Sequence, residues 1–275
     1  MEICKDNGRS SSEVIIKNLL PIGTIWWREI VRFYRQRSRL FSAIAQPLVF
    51  WLLIGSGLSA SFQPSGTADG LSYIAYFYPG IVVLVLLFTS IFATISVVND
   101  RREGFLQGIL VAPVPRWRIV LAQALGGTTL ALLQGVLLLI LAPMTGIRFG
   151  VASLFATLGV MALLAFGLTN LGLLIAWRMD STQGFHAIMN LLLIPIWLLS
   201  GAFFPSTGVP SWLEWTMKFN PLTYGLAAFR QSLYLDTTVK AIGEGPVWTL
   251  SLLITGLFCV LTYLGATLTA SAQAN

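Results

Sequence analysis

Long apolar runs separated by short polar breaks organise this chain. A helix that crosses a bilayer needs about 20 mainly apolar residues. The sequence offers six such stretches, near 40–62, 74–98, 119–143, 151–177, 185–204 and 247–270. The breaks at 145–150 and 178–183 are hairpin-short. Residues 205–246 differ: they are too polar for another span, are cut by Pro205, Pro210 and Pro221, and carry Trp212, Trp215 and Tyr224. They predict short interfacial or re-entrant helices joined by proline turns. Ahead of the spans, residues 22–39 place Trp26, Trp27, Ile30, Phe33 and Tyr34 on one side of a helix. Arg28, Glu29, Arg32, Arg35, Gln36 and Arg39 fall on the other. That pattern predicts an amphipathic helix lying in the membrane interface, its arginines reaching water and lipid phosphates. Residues 1–21 read as a polar tail and 271–275 as a short polar end. The expected fold is therefore an all-α membrane protein. It has six transmembrane helices over 40–270, an N-terminal amphipathic interfacial helix, and short outer helices between spans five and six.

Composition agrees. The chain is 56% hydrophobic and 10% charged, against about 25% charged in soluble domains, and its mean hydropathy is +0.78. The net charge of +6 sits beside the spans rather than on a soluble basic module, which argues against nucleic acid as a partner. It instead sets orientation. With both termini inside, the inner segments hold Lys5, Arg9, Lys17, Arg28, Arg32, Arg35, Arg37, Arg39, Arg101, Arg102, Arg116, Arg118 and Arg178. The outer segments hold only Arg148, Lys218, Arg230 and Lys240. The positive-inside rule selects this arrangement, with both termini cytoplasmic. Cys4 and Cys259 fall in opposite environments, so no disulfide framework is implied. The N-terminal region lacks the apolar core of a signal peptide, and the chain is expected to be uncleaved.

The spans carry almost no ionisable residues, which argues against an ion-coupled carrier, a pump or an ion channel. Their polar residues are neutral: Gln46, Thr89, Ser90, Thr94, Thr128, Thr129, Gln134, Thr169, Asn170 and Asn190. Such groups are expected to hydrogen-bond between helices. His186 has no ligand partner at metal spacing, and no nucleophile–histidine–acid arrangement appears. No phosphate-binding loop is present, so this chain is expected to bind no cofactor. If it moves cargo uphill, the energy must enter from another subunit.

That deduction gives weight to the charged island at 99–118. Asp100, Arg101, Arg102 and Glu103 precede Gly104, then Phe105, Leu106 and Leu110, then Pro113-Val114-Pro115. This reads as a short helix with a proline stop, offered to a cytoplasmic partner. Glu103 can pair with Arg101 or Arg102, or with a basic residue on a partner, and Phe105, Leu106 and Leu110 can act as apolar anchors.

Three stretches together resemble the membrane subunit of ABC-2 type exporters, and most of all the daunorubicin-resistance and nodulation-factor-export group. The first is Trp27-Arg28-Glu29 through Arg32, Phe33, Tyr34, Arg35 and Arg39. The second is Asn99 through Leu106 with Leu110-Val111-Ala112-Pro113. The third is Leu199 to Pro205, including Phe204, with Pro210, Trp212, Asn220-Pro221, Tyr224 and Arg230. They are similar to that family's interfacial helix, coupling helix and outer region. The resemblance implies a plasma-membrane permease paired with a second permease copy, identical or related. It also implies two cytoplasmic ATPase subunits, which would carry the ATP and Mg2+. Cargo is not identified by it; lipids, drugs and lipid-linked glycans are all exported by such permeases. Many members carry a second acid after a Gly-Thr pair, whereas here Glu103-Gly104 is followed by Phe105-Leu106-Gln107-Gly108. Two other readings stand beside this one. A lipid-modifying membrane enzyme would have to use Asp69, Glu214, Asp236 and Glu244, whose spacing matches no metal or hydrolase pattern. A passive channel or scaffold is the third.

Overall fold

The computed structural model describes residues 11–35, 73–111, 114–147, 150–203, 209–235 and 246–272, with isolated positions between 45 and 57. Most of the expected span at 40–62, including Gln46, lies outside the described residues, as do Arg39, Asp69, Arg148, Phe204, Pro205, Asp236 and Glu244. Among the described residues all regular structure is helical.

Helix α1 covers Ser11–Arg35. It begins well before residue 22, so the expected polar tail of 1–21 is corrected. Val14, Ile15, Ile16, Leu19 and Leu20 extend the helical apolar period towards the N-terminus. Pro21 sits inside the helix rather than opening it. Helix α2 (Tyr73–Ala93) runs through a turn at Thr94 into α3 (Ile95–Arg102). The Thr94 hydroxyl donates to the Ile91 carbonyl at 2.7 Å and supports that turn. Gly104 then takes φ +76, a conformation that L side chains rarely adopt, and reverses the chain into α4 (Phe105–Val111). Pro115 leads into α5 (Arg116–Leu139), where its fixed φ suits a helix start. A 3-10 turn at Ala142–Thr145 and Gly146 at φ +85 return the chain to α6 (Val151–Ala176). Helix α7 (Thr182–Trp197) loosens into a π-helical turn at Leu198–Ala202, where Gly201 has φ +81. Two short helices follow, α8 (Ser211–Phe219) and α9 (Pro221–Leu233), and α10 (Trp248–Ala272) is the last.

Five described helical stretches are long and apolar enough to cross a membrane: 75–102, 116–139, 151–176, 182–202 and 248–272. Helix α2 is the hub, with Phe77, Val82, Val83, Leu86, Leu87 and Ile91 fully buried. The most apolar window of its span is 78% buried inside the chain, against 28% for α10. Leu253, Leu257, Leu261, Leu264 and Leu268 of α10 are exposed, as expected of a flank that faces lipid rather than protein.

Helices α2, α5 and α6 approach closely at two glycines. A Cβ at Gly127 would lie 2.5 Å from Thr169 Cγ2, and one at Gly172 would lie 2.8 Å from Thr94 Oγ1. Small residues permit this spacing in membrane bundles. The neutral polar residues behave differently from expectation. Thr128, Thr169 and Asn170 donate to carbonyls of their own helices, those of Ala124, Ala165 and Phe166, rather than across to neighbours. A hydroxyl or amide four residues beyond a carbonyl finds that acceptor with no help from packing. Thr89, which donates to Gln134 of α5, does bridge two helices. His186 lies 5.0 Å from the Phe92 ring, centroid to centroid, and no metal-holding group occurs among the described residues. Cys259 is buried and free.

Candidate functional site

Asp100 stands in the last turn of α3, where the helix dipole disfavours a carboxylate, and its side chain is wholly buried. Two cations one turn apart on α1 offset both costs. Arg32 Nη2 donates to Asp100 Oδ1 at 2.6 Å, and Arg28 Nη2 donates to Oδ2. Arg28 also pairs with Glu29 at 2.9 Å. Residues four apart share a helix face, so 28 and 32 are at the right spacing to straddle one carboxylate. Burial pulls the Arg28 guanidinium down, but hydrogen bonds to Asp100 and Glu29 outweigh it. The group is held above its ordinary range and stays charged at every physiological pH.

The same stretch of α1 is fixed to α5. Glu29 is buried against Gly126, where an added Cβ would lie 2.9 Å from the Glu29 Cβ. Trp26 Nε1 donates to Thr129 Oγ1 at 3.1 Å. Arg28 lies over the Phe105 ring at 4.4 Å, a cation–π contact that carries the clasp into α4. Helices α1, α3, α4 and α5 are therefore joined through one ionic cluster. Phe33 is half-buried, whereas Trp27, Tyr34 and Arg35 are exposed. The expectation that Arg28 and Arg32 simply reach outwards is corrected. Asp100, 68 residues beyond Arg32, draws them into the protein.

Two further expectations change at the charged island. Arg101 does not pair with Glu103. It donates to Asp180 at 3.0 Å and to the carbonyls of Trp177 and Met179. A cation at the end of α6 satisfies helix-terminal carbonyls and complements the dipole. Arg102 donates to Thr182 Oγ1 at 3.3 Å. Glu103 caps α3 and is exposed, with no ion pair among the described residues. Leu106 is not a free anchor, because it is 2% exposed and packs into the chain's own core, while Phe105 is 48% exposed. Leu110 lies in α4, and its side chain is outside the described residues.

A second cluster forms around the break in α7. Arg230 of α9 is buried, donates to the Gly201 carbonyl at 3.0 Å, and lies over the Tyr76 ring at 4.3 Å. The Tyr76 hydroxyl donates to the same carbonyl at 3.2 Å. Trp197 Nε1 donates to the Gly80 carbonyl at 2.8 Å. Asn220 caps α9 at Leu222 and donates to the Ile196 carbonyl at 2.6 Å, with Pro221 at the first helical position. Thus Asn220 and Arg230 hold the carbonyls that the π-helical turn frees. Tyr224 donates to the Lys218 carbonyl at 3.0 Å, and Trp212 is exposed. Glu214, a candidate acid for an enzyme, pairs with Lys218 at 2.6 Å on the exposed side of α8.

Reading the sequence missed Tyr76, Gly80 and Trp197 at this cluster, and the pairing of Asp180 with Arg101. The Ser200-Gly201 pair was the available signal for the first of these.

The comparisons agree with this architecture. The sequence profile of the ABC-2 type transporter family matches residues 21–234, which include both clusters. The ycf38 protein of Cyanophora paradoxa, named as a transport permease, is 30% identical over 206 residues, 74% of this chain and 70% of its own length. Nodulation protein J of Rhizobium leguminosarum bv. trifolii is 27% identical over 209 residues, 75% of this chain and 78% of its own. The inner membrane transport permease YadH of Escherichia coli K12 is 24% identical over 214 residues, 77% of this chain and 82% of its own. A family match across most of the chain, over apolar helices of spanning length, makes this protein a membrane transport component that belongs to the ABC-2 type transporter family.

Proposed function

We propose that this chain is the permease subunit of an ATP-driven exporter whose ATPase is a separate cytoplasmic subunit. It works as two permease copies with two ATPase subunits, and ATP and Mg2+ bind to the partner. The chain lies in the plasma membrane with both termini cytoplasmic, α1 lies along the inner interface, and α8 and α9 lie towards the outer face. Cargo leaves outward and is hydrophobic, lipid-like or a lipid-linked glycan. The near absence of ionisable side chains from the long helices supports that cargo class.

The observation that carries the reading is the position of α4. This short helix hangs between the ends of α3 and α5. Phe105, Gln107, Gly108 and Val111 are exposed, and Leu106 anchors it from behind. Through Phe105 and Arg28 it is tied to α1, and α3, which leads into it, is tied through Arg101 to the corner between α6 and α7. A partner that pushes on α4 would therefore move several helices at once.

Purification of the tagged chain in mild detergent is expected to bring a stoichiometric ATPase with it, and its absence from cells in which the chain is functional would overturn the proposal. Phe105→Asp removes an exposed aromatic anchor and should weaken that association about 30-fold, the scale of an interface hot spot, with the chain still folded. Leu106→Asp should instead destabilise the chain itself, because it buries a charge in the core.

A further inference from the structure

The guanidinium groups at the end of α1 have more N–H donors than the described residues supply acceptors. Arg28 and Arg32 each use one nitrogen, Nη2, on Asp100 and, for Arg28, on Glu29. Arg28 Nε and Arg32 Nη1 are closed off from water without a partner. Arg35, one turn further on, is exposed and makes no ion pair among the described residues. Three arginines against two carboxylates, Glu29 and Asp100, leave the cluster one positive charge in excess.

These arginines line an open groove of about 550 Å³ along one side of α1, together with Thr24, Trp27 and Val31. The six positions fall at helical spacing, so they form one stripe. The indole of Trp27 is mostly exposed and gives the stripe an apolar edge beside its cationic one. A free phosphate would use the cations alone. A phosphodiester attached to acyl chains would use both edges.

We propose that this groove binds the phosphate of an anionic phospholipid in the leaflet where α1 lies. The phosphate oxygens meet the exposed Arg35 and the water-facing parts of Arg28 and Arg32, and offset the surplus charge. A filled groove therefore steadies the Arg28–Asp100–Arg32 clasp and, through Phe105, the seat of α4. The inference rests on the interfacial placement of α1 given above. It does not depend on the ATPase partnership.

Reconstitution of the full chain into vesicles tests it, with acyl-brominated phosphatidylglycerol or acyl-brominated phosphatidylcholine as quencher. The difference between the intact chain and Trp27→Phe isolates the Trp27 fluorescence. Phosphatidylglycerol should quench that component in preference to phosphatidylcholine. Arg35→Gln leaves the clasp intact and should lower the preference about fivefold, the scale of one arginine near an anionic surface. Equal quenching by the two lipids, or a preference that Arg35→Gln does not move, would overturn the proposal. Displacement of the phosphatidylglycerol signal by soluble glycerophosphate would reassign the groove to a water-soluble anion. Quenching by neither lipid would remove α1 from the interface. Loss of the ATPase from purified intact chain, with the lipid preference retained, would sink the exporter reading and leave the groove standing.

Discussion

Asp100→Asn should uncouple α4 from α1 more completely than any other isosteric change in the chain. The carboxylate is wholly buried, while the side chains of Arg28 and Arg32 are 27% and 32% exposed. Removing one partner of a buried ion pair costs about 3–5 kcal/mol, chiefly because the remaining charge loses its compensation. Water still reaches both arginines, so the cost here belongs at about 3 kcal/mol or below. The change also leaves Arg28 without its main restraint above Phe105. On the proposed exporter reading, the expected result is a folded chain of lowered stability whose ATPase partner hydrolyses ATP without export. Arg28 keeps Glu29, so adding Arg32→Gln to Asp100→Asn removes the cation left without a carboxylate and should recover part of the stability but not the export. Equal export by Asp100→Asn and the unaltered chain would show that the clasp is only a fold contact. Recovery of export together with stability in the double variant would show the same.

Much of this architecture can be read from hydrophobic pattern alone. Five of the six expected spans coincide with long helices to within a few residues, because a run of about 20 apolar residues allows little else. The break at Gly104 and the helix starts after Pro115, Pro210 and Asn220 follow from local backbone chemistry. The partners of the charged residues do not. From sequence, Asp100 is one acid in an exposed-looking island and Arg28 one base on an amphipathic helix. Nothing local says that they meet across 72 positions. For Arg101, the neighbouring Glu103 is the obvious partner, yet geometry turns it to the corner at Trp177–Asp180. Leu106 and Phe105 look equivalent in sequence and differ completely in exposure, because a seven-residue helix has room to bury one face only. The start of α1 is hidden for a related reason: the polar N-terminal residues mask the period of Val14, Ile15, Ile16, Leu19 and Leu20, which shows only when the helix continues through Pro21.

Gly80→Ala and Gly159→Ala should have opposite signs, although both place one methyl group on a long apolar helix. At Gly80 the new Cβ would lie 2.9 Å from Ala202 Cβ, 3.0 Å from its carbonyl oxygen and 3.2 Å from its Cα. Two of those three atoms belong to the backbone and cannot rotate away. That backbone is also tethered, by Trp197 on the Gly80 carbonyl and by Arg230 on the neighbouring Gly201 carbonyl. Overpacking of this kind costs about 1–3 kcal/mol, and the tethers put Gly80→Ala near the top of the range. At Gly159 nothing lies within 4 Å of the new Cβ, so the helix gains up to about 1 kcal/mol from the better propensity of alanine. Unfolding midpoints in detergent, read by circular dichroism, check both signs. Pairing Gly80→Ala with Ala202→Gly removes only the Cβ clash, so stability should return in part. A full return would mean that the backbone contact at Ala202 can yield. If Gly80→Ala is as harmless as Gly159→Ala, α2 does not bear against the broken end of α7, and the cluster around Arg230 cannot hold the two together.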